Sequence, residues 1–114
     1  MTIEEMSQAV CKAASDKKAG DIVVMDMRGI SPSTDYFVIC SANTATQVRA
    51  IADNIEDELG EAGVEFNHKE GYREGEWVLL DYGDVVAHVF MQEAREYYAL
   101  EQLWGDAKLS VYED

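Results

Sequence analysis

The sequence predicts a single α/β domain of α+β character, a mixed sheet of roughly five strands carrying helices in the order α-β-β-α-β-β-β-α. Three observations predict it. Apolar residues recur at helical spacing behind two Thr-x-x-Glu/Gln boxes. Short β-branched runs lie between them, bounded by Gly, Pro, Asn and Asp. No Pro-rich or Ser/Gly-rich linker divides the 114 residues, which hold one proline and eight glycines, so residues 1–114 form one domain around one core.

Thr2 and Glu5 form the first box, followed by Ile3, Met6, Val10 and Ala13 on one helical stripe. That helix ends near Lys17-Lys18, cations suited to a helix C-terminus, and Gly20. Residues 21–27 and 36–40 are short apolar runs that read as strands covered on both faces, with Arg28-Gly29 and Ser31-Pro32-Ser33 as the loop between them. Thr44 and Gln47 open a second helix whose stripe is Val48, Ile51, Ala52, Ile55 and Leu59. Asp53, Glu56, Asp57 and Glu61 fall outside that stripe, and Gly60 or Gly63 ends the helix.

Residues 64–66 make a weak strand and 67–76 a polar loop. Residues 77–82 and 84–90, separated by little more than Gly83, form a tight antiparallel hairpin. A last helix spans 92–104, with Ala94, Tyr97, Leu100 and Trp104 on one side. In the fourth strand Trp77, Leu79 and Asp81 project to one face while Val78, Leu80 and Tyr82 project to the other. An exposed Trp beside an acid is an interface signature; a core Trp77 is the alternative.

The formal net charge is −14, from 23 acidic and 9 basic side chains. Such a field repels phosphates and anionic lipids and speeds encounter with a basic partner, although solubility alone also accounts for acidity. The densest basic spot is Lys17-Lys18, so direct nucleic-acid readout is not expected. Cys11 and Cys40 read as buried thiols of a reducing compartment rather than a disulfide framework. The acidic start, Met1-Thr-Ile-Glu-Glu, resembles neither a signal nor a transit peptide, and no apolar run approaches the roughly 20 residues that cross a bilayer. The expectation is a cytoplasmic protein with no membrane partner.

The chain holds no G-x-x-x-x-G-K-[ST], no G-x-G-x-x-G and no C-x-x-C, and neither a cofactor nor a metal is expected. His68 sits in the polar loop; His88, among Val86, Val89 and Phe90, reads as a partly buried strand residue. Asp81 and Asp84 flank the turn and could share a cation, but turn chemistry accounts for them first. Asp21 and Asp26 bracket the first strand at odd spacing, which points them to opposite faces. No catalytic set assembles.

The chain resembles the ribosomal silencing factors, or Iojap-related proteins, over about residues 9–107. The motifs are Thr34-Asp-Tyr-Phe-Val-Ile-Cys-Ser41, Gln47-Val with Ile51-Ala-Asp53, Trp77-Val-Leu-Leu-Asp-Tyr-Gly-Asp84, Val85-Val-Ala-His-Val-Phe90 and Arg95-x-Tyr-Tyr-x-Leu-Glu-x-Leu-Trp104. The resemblance implies a nucleotidyltransferase-like fold without that activity. It implies a translational repressor that binds the large ribosomal subunit through its fourteenth ribosomal protein and sterically blocks joining of the small subunit, lowering translation under nutrient limitation. Partner contacts would fall on Trp77, Asp81, Tyr82 and Asp84, with Tyr98 of the Tyr97-Tyr98 pair facing out and its neighbour packing inward. Family members occur as monomers and homodimers. The alternative is a residual nucleotidyltransferase-like enzyme using Asp21, Asp26, Asp81 and Asp84.

Overall fold

A computed structural model describes residues 1–113. Helix α1 (Ile3–Asp16) opens on a closed capping box: the Glu5 amide donates to the Thr2 hydroxyl and the Thr2 amide to the Glu5 carboxylate. It ends in a Schellman turn, where the Lys18 amide donates to the Ser15 carbonyl and the Ala19 amide to Ala14, with Lys18 at φ 63°. Helix α2 (Ala45–Glu61) is capped by Thr44, whose hydroxyl accepts from the Gln47 amide. Of the expected α1 stripe Val10 and Ala13 are buried and Ile3 and Met6 partly so, with Cys11 and Ala14 buried beside them, while the α2 stripe Val48, Ile51, Ala52, Ile55 and Leu59 is buried throughout. They cover one face of the sheet, over Ile22, Val38, Cys40, Val78, Leu80 and Val89.

The sheet has six strands: β1 (Gly20–Asp26), β2 (Tyr36–Ala42), β3 (His68–Glu70), β4 (Trp77–Asp81), β5 (Val85–Met91) and β6 (Lys108–Val111). Their spatial order is β3-β4-β5-β2-β1-β6. β2 and β5 pair in parallel at the centre and every other pair is antiparallel. The expected mixed α/β class is what the chain forms. On the second face Val23, Met25, Met27, Ile39, Phe90 and Leu100 make a smaller core, which is why β1 and β2 are apolar at successive positions.

Three details depart from the sequence reading. The strand expected at 64–66 lies at His68–Glu70, because the Val64 amide still bonds the Leu59 carbonyl and closes α2, while Lys69 pairs with Leu80. β6 is a sixth strand, paired to β1 but exposed along its whole length, so no buried alternation announces it. The helix expected over 92–104 breaks at Ala99, φ 47°, into α3 (Gln92–Tyr98) and α4 (Leu100–Leu103). Among the described residues no helix is long and apolar enough to cross a membrane.

Candidate functional site

The β4–β5 hairpin builds the site. Val78 and Leu80 face the α1/α2 side and are fully buried, which turns Trp77, Leu79 and Asp81 to the opposite face. Tyr82 belongs with the buried set. It packs into the larger core and burial pushes its phenol up to about 12, so its expected role as a contact residue gives way to packing. The period-two alternation that exposes Trp77 is the same pattern that buries Tyr82.

Trp77 stacks on Phe90 with ring centroids 4.9 Å apart and meets Tyr98 at 4.8 Å; Tyr97 stands edge-on to Tyr98 at 5.0 Å. Trp77 is half-buried, whereas Tyr97 is 82% and Tyr98 46% exposed. Both tyrosines therefore face outward, contrary to the expectation that one packs inward. The cause is the break at Ala99, which makes Arg95 the inward residue of α3. Its guanidinium grips both Glu101 oxygens, at 3.2 and 3.0 Å, and the Ser41 hydroxyl at 3.1 Å.

Beneath the shelf, the Trp77 indole N–H donates to His88 Nδ1 at 3.1 Å, and burial pushes the His88 pKa down to about 3. Beside it runs a cleft of about 400 Å³ lined by Glu76, Met91, Glu93, Ala94, Tyr97 and Tyr98. The arrangement is an aromatic shelf with carboxylates at its rim. Sequence reasoning found Trp77 and Tyr98 but missed Tyr97, Glu76 and Glu93. It also missed that Val86, His88 and Phe90, at two-residue spacing, share the Trp77 face.

The acidic candidates do not converge. Asp81 lies on the Trp77 face but at the other end of β4, about 13 Å along the strand. Its carboxylate accepts the Gly83 amide at 2.7 Å, which is turn chemistry. The Asp84 side chain is exposed, and its carbonyl accepts from the amides of Asp35 and Tyr36. Arg28 holds Asp26 through hydrogen bonds at 2.9 and 2.7 Å, keeping that carboxyl at about 2. Asp21 sits at the opposite end of β1, at φ 46° beside a bulge. Among the described residues no group of three or more His, Cys, Asp or Glu could hold a metal.

Residues 1–114 match the family described as ribosomal silencing factor during starvation. The chain belongs to the ribosomal silencing factor family. A ribosomal silencing factor of Bacillus subtilis is 47% identical over 110 residues, covering 96% of this chain and 93% of the relative. The chloroplastic protein Iojap of Zea mays is 36% identical over 99 residues, covering 87% of this chain and 43% of its own length. A crystal structure of a Chromobacterium violaceum protein superposes with a TM-score of 0.90 at 37% identity, covering 100% of this chain and 95% of that one. The fold of this silencing-factor chain is thus that of a solved structure over its whole length.

Proposed function

We propose that this protein is a non-catalytic translational repressor that acts in the cytoplasm. It docks through the Trp77 shelf on the fourteenth protein of the large ribosomal subunit and occupies the space the small subunit needs. The observation that carries this reading is the shelf of exposed Tyr97 and Tyr98 beside half-buried Trp77, with Glu76 and Glu93 at its rim. Large, rigid aromatics supply contact area at low entropic cost, and the indole N–H is already satisfied by His88, so covering Trp77 strands no donor. Carboxylates around the shelf, with Asp81 and Asp84 further along the same hairpin, select a basic partner and speed its approach. The names of relatives as close as 47% identical support the ribosome as that partner. Silencing then needs no chemistry, only occupancy, and nutrient limitation is when lowered translation is useful.

The test is co-sedimentation with purified large subunits followed by a subunit-joining assay. Wild type is expected to sediment stoichiometrically and to block joining. Trp77→Ala or Glu93→Arg should lose both effects while keeping the native circular dichroism; if both variants bind like wild type, the docking face is wrong. The enzymatic alternative predicts that nucleotide with Mg²⁺ raises the melting temperature by mass action, and a flat value is expected.

A further inference from the structure

Of the nine Lys and Arg side chains, Lys12, Arg28, Lys69 and Arg95 form ion pairs. The other five have none among the described residues, on a chain with 23 carboxylates: Lys108 lies apart on β6, and Lys17, Lys18, Arg49 and Arg73 lie together. These four surround the start of α2. The Gln47 side-chain Nε2 donates to the carbonyls of Lys17 and Lys18 on one flank, each at 3.5 Å. Arg49 donates to the Arg73 carbonyl at 3.2 Å on the other. Lys17, Lys18 and Arg73 are exposed and Arg49 is half-exposed. Residues 36–52, which run through β2 into α2, contain no acid at all.

Ordinary helix electrostatics accounts for only part of this. Lys17 and Lys18 suit the negative end of α1, but Arg49 lies in the second turn of α2, where the dipole offers a cation nothing. Lys18 occupies the left-handed residue of a Schellman turn, a position at which glycine is the unstrained choice. At Lys18 a cation is thus carried where the backbone favours glycine. The patch also adjoins the shelf: the turn bearing Arg73 leads directly into Trp77, and the Met91 amide bonds the Glu76 carbonyl there.

We propose that Lys17, Lys18, Arg49 and Arg73 form a polyanion contact that grips the phosphate backbone of ribosomal RNA beside the protein on which the shelf docks. This inference rests on the docking proposal. It involves backbone attraction without base readout, and carboxylates more than about 8 Å from the patch are largely screened at physiological salt.

The test measures binding of wild type and the triple variant K17Q/K18Q/R73Q to purified large subunits over a salt series, and to the isolated fourteenth ribosomal protein. On subunits the triple variant should bind about tenfold or more weaker at low salt, with a log K against log salt slope shallower by roughly 2–3. On the isolated protein the two should bind alike. A triple variant equal to wild type on subunits overturns the polyanion contact and leaves docking intact, whereas wild type failing on subunits overturns docking itself. Loss on the isolated protein also overturns the RNA assignment. A benzophenone attached at R73C, selective because Cys11 and Cys40 are buried, should crosslink to RNA; crosslinks only to ribosomal protein would count against the proposal.

Discussion

The indole N–H of Trp77 reaches His88 Nδ1 at 3.1 Å across the β4–β5 ladder, one pair removed from the direct register of Trp77 with Phe90 and Leu79 with His88. Because Nδ1 accepts, the neutral imidazole carries its proton on Nε2. That nitrogen is buried with no hydrogen-bond partner among the described residues, and the ring stands edge-on to Phe37 at 4.6 Å. The bond turns the polar edge of Trp77 inward and leaves the ring as the outward surface.

Trp77→Phe keeps a ring over Phe90 but removes the donor to Nδ1, leaving a buried acceptor unpaired. Unfolding free energy should fall by about 1–3 kcal/mol. Urea denaturation checks the size of the loss, and unchanged stability would show that the bond does not hold the shelf.

The same histidine sets a pH dependence. Its folded pKa of about 3 lies below the ordinary value of 6.5, so below pH 6.5 the unfolded chain takes a proton that the native protein refuses. Stability is therefore full above pH 6.5 and falls by about 1.4 kcal/mol per unit as pH drops toward 3. Between pH 7 and pH 5 the expected loss is about 2 kcal/mol, absent in His88→Gln, and the difference between the two urea titrations isolates it. The depressed Asp26 contributes stability that is lost only lower, between its ordinary 3.8 and about 2, outside that window.

Glycines at positive φ separate two costs. At Gly71, φ 79°, an added Cβ would lie 1.9 Å from the Trp77 carbonyl, whereas at Gly63, φ 82°, it would meet nothing within 4 Å. Gly63→Ala should cost about 1 kcal/mol and Gly71→Ala at least twice that, with a displaced Trp77. Melting curves and tryptophan fluorescence of the two variants report both effects.

Lys18→Gly should raise stability by about 1 kcal/mol, since φ 63° suits glycine and the side chain forms no ion pair among the described residues. Thermal melts read the gain directly. Large-subunit affinity should move the other way if the lysine is kept for a polyanion.

The helical stripes, both Thr caps and the face alternation of β4 were legible because each is written in consecutive residues at a fixed period. What was not legible depended on long-range partners. Arg95 reads as a surface helix residue until Ser41, Gly20 and Glu101 arrive to enclose it. β3 and β6 lack buried alternation because both are short edges, with burial confined to their partners. At the site, Trp77 was visible as a large aromatic on an exposed alternation, but Tyr82 shared its neighbourhood in sequence and not its face. The basic patch was invisible for the same reason: Arg49 and Arg73 are distant in the chain and meet only in the fold.

The central β2–β5 pairing joins Tyr36 to Val85, roughly fifty residues apart in the chain, through the only parallel ladder in the sheet. Synthesis runs from the N-terminus, so α1, β1, β2 and α2 emerge while the inner edge of β2 still lacks its partner. The shelf comes later still, because β4, β5 and α3 must all be present before Trp77, Phe90 and Tyr98 can stack. A growing chain therefore has no finished aromatic surface until α3 (Gln92–Tyr98) has been made. On the docking proposed above, a nascent copy therefore gains its contact surface only once all three of those elements have emerged.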